Sequence, residues 1–462
     1  MKVPNAIVLL KHHVVTVIAL VALLSTGGRL FGQPPALPQR AEHHVLVISL
    51  DGLGANFYAE NALKAHLPNL QRLRAEGSYA EGVEGVYPTV TYPSHTTIVT
   101  GRLPAEHGIY SNVSVRTPEK KVEDWFWYAK DLKTPALWDE ARQAHLTSAA
   151  VSWPVTVGAA IDWDLPEIWD PSKAMVFDMN YVGKYATPGL LEEAMKAVGP
   201  MPAESNVDVV RTRLAAYLIK KYRPNLTLVH LADPDHTEHS FSPESLQATK
   251  ALEDCDTRVG ELLQAVHESG VEGSTDVFIV SDHGFLRTGR LIQPNVLLAK
   301  AGLLSVNSAG EITGGKVSTL SNGGSFFIYW PEGEDLRAQV QAALASLLEQ
   351  GALWAEFGRS ALHDLGAEPA VQLALDAPEG YMFGKLATGD IITEQRVMGG
   401  SHGYLPYRSG LESSFIAWGP HIRTGVNLHR IRMTSEGPTI LKALGIDDAE
   451  FGDRPPLSEI FK

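Results

Sequence analysis

The chain of 462 residues contains a single cysteine, so no disulfide can form within it in any compartment. It also has no basic excess. Lys and Arg number 39 against 53 Asp and Glu, and the formal net charge of −14 argues against the basic surface that a nucleic-acid backbone requires. A small anionic substrate remains compatible with this balance if bound cations supply local positive charge. Past the first thirty or so residues, no apolar run is long enough to cross a bilayer, and there are no internal repeats.

The one long apolar stretch is Val14–Leu24, preceded by Lys2 and Lys11 and followed by small residues and Gln33-Pro-Pro-Ala-Leu-Pro38. It is short for a span and has the layout of a secretory signal peptide over residues 1–33, which directs the protein to the periplasm or outside the cell. The rival is an uncleaved anchor, because no sharp A-x-A cleavage site follows Leu24. With no cysteine near the run, a lipid-modified cysteine is excluded.

Cys255 falls in the stripe Leu252, Cys255, Val259, Leu262, Leu263, Val266, opposite Glu253, Asp254, Arg258 and Glu261. That spacing predicts a small core residue on an amphipathic helix, and a catalytic thiol would need a more electropositive and exposed setting.

Three apolar runs end in acid or acid-histidine clusters: VLVISL before Asp51-Gly52, LTLVHLA before Asp233-Pro-Asp235-His236, and DVFIVS before Asp282-His283-Gly284. Short Val/Ile/Leu-rich runs separated by helix-length segments predict parallel strands buried on both faces. In such sheets ligands bind beyond the carboxyl ends of the strands, so these side chains should meet in one crevice. A lone Asp after a strand more often caps the next turn or helix. Three such coincidences, two with histidine attached, favour metal ligation.

The pattern predicts a helix over 67–77 closed by Gly77, strands at 148–153, 226–232 and 276–281, and helices at 208–222 and 245–268. Between about 300 and 400 it becomes mixed, with a strand at 325–330 and a helix at 335–351, and reads as a lid or side subdomain within one catalytic α/β domain over 34–462. SSFIAWGP (413–420) should then rejoin the main sheet and bring His402 to the crevice from far along the chain.

The densest segment runs from Tyr87 to Gly101. Pro93 suits a first helical turn and Gly101 a C-terminal stop, which places Thr91 and Tyr92 at the mouth of a short helix where an anion is favoured. Thr or Ser there is also a common plain N-cap. Local pattern alone leaves Thr89, Thr91, Ser94 and Thr96 open as nucleophile.

Together, Asp51-Gly, Thr91-Tyr-Pro-Ser-His with Val-Thr-Gly101, His107-Gly-Ile-Tyr-Ser-Asn112, Asp235-x-x-x-His239, Asp282-His283-Gly and Ser401-His402-Gly-Tyr resemble the nucleotide pyrophosphatase/phosphodiesterase family of the alkaline phosphatase superfamily. The resemblance runs from about residue 43 to 445 and implies an alkaline-phosphatase-like sandwich, a central mostly parallel sheet flanked by helices. It implies two Zn²⁺ ions, one held by Asp235, His239 and His402, the other by Asp51, Asp282 and His283 with Thr91 as nucleophile. Imidazole and carboxylate donors without thiolates suit zinc, with manganese a related possibility. The i, i+4 spacing of Asp235 and His239 puts both on one side of a helical turn. His236, His267, His363 and His421 read as ordinary histidines.

The family likeness also implies that Asn112 contacts a phosphoryl oxygen and that a nucleobase stacks on Tyr92. The expected activity is metal-dependent hydrolysis of small phosphodiester or nucleotide substrates through a phospho-threonine. Ser94, Glu238, Ser242 and Leu405-Pro406 depart from the family pattern, at places that bear on specificity more than on chemistry. A phosphomonoesterase would need an extra cationic group for a doubly charged phosphate, and no Lys-x-Arg pair stands between 150 and 170. A sulfatase would need Cys or Ser followed by Pro and Arg, which Thr91-Tyr-Pro-Ser-His lacks. The alternative from another class is a catalytically silent metal- or nucleotide-binding protein.

Overall fold

His44–Leu50 is buried at every position, and its alternating side chains feed two separate cores: Leu46, Ile48 and Leu50 on one face, Val45 and Val47 on the other. That is the mark of a strand covered on both sides. In the computed structural model, which describes residues 43–58, 65–115, 124–173, 178–200 and 207–462, this strand lies near the middle of an eight-stranded sheet. The expected signal peptide lies outside the described residues.

Leu226–Leu231 and Thr275–Val280 flank the central strand, both parallel to it, with Leu50 opposite Leu231 and Ser49 opposite Val280. The three strands therefore stop at one edge, where Asp51, the Asp233–Phe241 helix and Asp282 follow. Ser148–Val151 and Trp163–Leu165 extend the parallel part on one side. On the other, Phe415–Trp418 rejoins the sheet as expected, antiparallel to Thr275–Val280 and to Ser78–Tyr79.

Helices Val207–Tyr222 and Leu246–Ser269 cover one face through residues such as Leu214, Leu218, Leu252 and Val259. Leu137–Gln143 and Glu436–Ala443 cover the other. Each fully buried Leu, Ile or Val contributes about 1.5–3 kcal/mol, and cutting one to alanine costs roughly 2–5 kcal/mol. Cys255 sits 2% exposed in the first of these cores, as its stripe predicts, and burial pushes its thiol pKa well up.

The helix predicted at 67–77 forms over Pro68–Glu76, but Gly77 does not close it in the left-handed conformation. Its φ is −118°, and glycine is needed there because a Cβ would lie 2.1 Å from the Ala417 carbonyl oxygen.

Within the 300–400 region, Ser318–Ser321, Ser325–Tyr329, Leu373–Asp376 and Ala355–Gly358 form a four-stranded antiparallel sheet. Phe326, Ile328 and Leu375 pack there with Val340 and Leu344 of the Arg337–Glu349 helix in a separate core. This part is joined to the rest by an antiparallel ladder between Leu286–Ile292 and Ile392–Ser401, with Ser401 opposite Leu286. Among the described residues no helix is long and apolar enough to cross a membrane.

Candidate active site

Two strand ends, one short helix and the return of the ladder deliver six side chains to one spot. Asp51 follows the central strand, and Asp282 and His283 follow its neighbour. His283 Nε2 stands 3.5 Å from Asp51 Oδ1 and 3.1 Å from Asp282 Oδ2. The Asp233–Phe241 helix carries Asp235 and His239 one turn apart, with His239 Nε2 3.4 Å from Asp235 Oδ1. The Leu286–Ser401 pairing returns the chain so that His402 Nε2 lies 3.1 Å from His239 Nε2 and 3.6 Å from Asp235 Oδ1. His402 Nδ1 donates to the Thr89 carbonyl at 2.9 Å, which turns Nε2 toward the cluster.

The two expected ligand sets are thus both assembled, and His283 is within reach of each: it groups with Asp51 and Asp282 and also with Asp235 and His402. Asp51 Oδ1, Asp235 Oδ1, Asp282 Oδ2 and His283 Nε2 are buried without a hydrogen-bond partner. Buried polar atoms are rarely left unpaired. Four of them converging in one cluster fit a cationic occupant.

Electrostatics agree with that fit. Burial, reinforced by nearby carboxylates, raises the Asp51 and Asp282 pKa values well above the usual range, so these two acids need positive charge beside them to stay ionised. Burial and neighbouring imidazoles hold His283 well below its ordinary value, and burial with His239 lowers His402 to about 4. Both rings are therefore neutral near pH 7, with a lone pair available for ligation.

Thr91 begins a helix, Thr91–Thr100, that Gly101 ends with φ 66°. The four hydroxyls left open by sequence now separate. Thr89 is 0% exposed, with its hydroxyl donating to the Tyr404 carbonyl and accepting from Gly403 N–H; Thr96 is 1% exposed and donates to Tyr92 O. Ser94 is 0% exposed. Thr91, at 9%, is the most open of the four. Its backbone N–H belongs to the first helical turn, which has no intrahelical acceptor.

Asn112 Oδ1 accepts from the Tyr92 N–H at 2.9 Å. Because that N–H can only donate, the amide nitrogen of Asn112 is left for another acceptor beside Thr91. His95, on the same helix, donates from Nδ1 to the Thr91 carbonyl and accepts the Ser49 hydroxyl at Nε2, each at 2.8 Å.

Tyr92 departs from expectation. Its ring is 1% exposed among Ile109, Trp127 and Val155, with Trp125 5.4 Å away and its hydroxyl on Glu167. Packing in this tight cluster leaves no open face for a base. Half-buried Trp125 and Trp169, edge to face at 4.5 Å, stand next to it. His236 and His363 are exposed, His267 pairs with Glu272 and His421 with Asp276, so none of these four joins the cluster.

Two polar residues of this region had been given no role from the sequence. His230 sits in the strand LTLVHL with Nε2 2.9 Å from Asp51 Oδ2, and Glu167 accepts from its Nδ1 at 2.9 Å. A histidine inside an otherwise apolar strand was the available signal.

A family model described as type I phosphodiesterase / nucleotide pyrophosphatase matches residues 45–405. Human ectonucleotide pyrophosphatase/phosphodiesterase family member 1 is 28% identical over 249 residues, 52% of this chain and 23% of that protein. Venom phosphodiesterase 2 of Crotalus adamanteus is 25% identical over 248 residues, 52% of this chain and 26% of its own length. The matches thus span about a quarter of these curated relatives. Human ectonucleotide pyrophosphatase/phosphodiesterase 5 superposes with a TM-score of 0.65 at 20% identity, covering 89% of this chain and 97% of that one. An inactive threonine-to-alanine form of the murine protein in complex with AMP gives 0.64 at 19%, covering 88% and 96%. The fold is accordingly α/β and alkaline-phosphatase-like.

Proposed function

The chain belongs to the type I phosphodiesterase / nucleotide pyrophosphatase family, and on that premise we propose that it hydrolyses phosphodiester or pyrophosphate bonds in small nucleotide-type substrates, releasing a nucleoside monophosphate. The observation that carries this reading is the placement of the most open hydroxyl of its segment, Thr91, on the same helix as His95, whose Nδ1 lies 3.7 Å from Asp282 of the ligand cluster.

Asp235, His239 and His402 would hold one zinc ion, and Asp51, Asp282 and His283 with the Thr91 oxygen the other. When bound, the pair supplies Lewis-acid stabilisation to the attacking and leaving oxygens. Thr91 Oγ gives up its proton and bonds to phosphorus as the ester or pyrophosphate oxygen leaves and takes up a proton, and a phospho-threonine results. The Thr91 N–H and the Asn112 amide hold the non-bridging oxygens. Water then attacks phosphorus, the Thr91–phosphorus bond breaks, and Thr91 Oγ takes up a proton. Trp125 and Trp169 offer aromatic surface for a base in place of Tyr92. Residues 1–33 act as an export leader to the periplasm or beyond, ahead of one catalytic domain over 34–462, and the 300–400 region serves as a lid.

Purified protein should turn over bis-p-nitrophenyl phosphate in strong preference to p-nitrophenyl phosphate. A preference for the monoester would make it a phosphomonoesterase, and no turnover with metal fully loaded would make it a binding protein.

A further inference from the structure

Asp51 has two carboxylate oxygens with different surroundings. Oδ1 is buried without a partner and faces His283, while Oδ2 is 2.9 Å from His230 Nε2. The other ring nitrogen, Nδ1, lies 3.1 Å from the Ser152 carbonyl and 2.9 Å from Glu167 Oε2. The Glu167 and Asp51 carboxylates and the Ser152 carbonyl all accept, so Nδ1 donates to Glu167 and Nε2 to Asp51 Oδ2, which fixes the ring orientation.

Glu167 is itself held. Its Oε1 accepts the Tyr92 hydroxyl at 3.0 Å, and Arg211 Nη2 lies 3.6 Å from Oε2. Arg211 is anchored in turn by Ser152 Oγ and Asp208, and Asp208 receives the N–H groups of Ala232 and Asp233 at the start of the helix that carries Asp235. His230, Glu167, Asp208 and Arg211 are all at most 8% exposed. A solvated ion pair would not be built this way.

We propose that Glu167 and His230 are positioning residues that occupy Oδ2 of Asp51 and so present Asp51 as a one-oxygen metal ligand through Oδ1. Partners of this kind fix the orientation of ligating side chains, and their loss typically weakens metal binding by about 10- to 100-fold. The strap touches only the Asp51, Asp282, His283 set directly. The effect should therefore be confined to one of two sites. This inference rests on the metal-centre reading above.

The test is zinc titration of the wild-type chain, His230→Gln and Glu167→Gln against a chromogenic chelator, with circular dichroism of each metal-free form. The wild type should show two binding steps. Both variants should weaken one step about 10- to 100-fold and leave the other unchanged. Glu167→Gln is isosteric and decides the matter if His230→Gln fails to fold. Two unaltered steps, or equal weakening of both, would overturn the strap while leaving the metal centre standing. A wild type that binds no zinc would overturn the metal centre and the strap together.

Discussion

The imidazoles of His283 and His402 lie face to face, their centroids 3.7 Å apart and their planes 11° from parallel. One ring comes from a strand end and the other from the far side of the 300–400 region, yet both are held neutral by burial. Two stacked, unprotonated rings thus stand beside carboxylate oxygens that lack a hydrogen-bond partner.

Replacing Thr91 with alanine should lower turnover at least about a thousandfold, since the Thr89 and Thr96 hydroxyls are committed to backbone carbonyls and Ser94 is fully buried. Metal content, read by elemental analysis, should not change. Retained activity would move the nucleophile away from this helix.

His402→Ala should cost one of the two metal sites. The residue lies outside the main sheet, so far-UV circular dichroism should stay native while elemental analysis shows reduced zinc. Loss of the native spectrum would mean that the Thr89–His402 hydrogen bond matters more to the fold than to ligation.

Asp376, buried against Arg408, has its pKa raised by burial to about 7 from an ordinary value of 3.8. A raised folded-state value for an acid means that its contribution to stability is full below the unfolded pKa and is lost as pH rises through about 7. The melting temperature should therefore fall between pH 4 and 7 for this reason, and Asp376→Asn should flatten that part of the profile. An unchanged profile would place the titrating group elsewhere.

Ser242, which stands where the family pattern has glycine, adopts φ 78° and ψ 151° at the end of the Asp233–Phe241 helix. That region is nearly exclusive to glycine and costs a side chain about 1–3 kcal/mol. After the entropy penalty of glycine, Ser242→Gly should stabilise the protein by about 1 kcal/mol in denaturant unfolding. A destabilised variant would show that the serine side chain offsets the strain.

The convergence of Asp51, Asp235, Asp282 and His283 was legible because strand ends in a parallel sheet must share an edge, and acids at three such ends can be counted in a sequence. The approach of His402 was read from the 413–420 strand rejoining the sheet and its place in a ligand set from family likeness, while the Leu286–Ser401 register that delivers it is encoded by no local pattern. The choice of Thr91 over Thr89 needed the partners of each hydroxyl. Burial of Tyr92 was not legible, because an aromatic at a helix start looks the same whether its face is open or packed against Trp125. His230 and Glu167 were missed because their meeting joins a strand interior to a segment far from it in the chain.

The ladder of Leu286–Ile292 with Ile392–Ser401 is one of several ties between the 293–391 segment and the neighbourhood of His402. The segment between those strands leaves and re-enters at neighbouring points, yet the Gly324 N–H bonds the His402 carbonyl, the Tyr404 hydroxyl donates to the Tyr381 carbonyl and the Leu405 N–H to Asp376, while Tyr87 packs on Leu320 and Phe327. A change in the length or shape of that segment should therefore be felt at His402 through Tyr404 and Leu405.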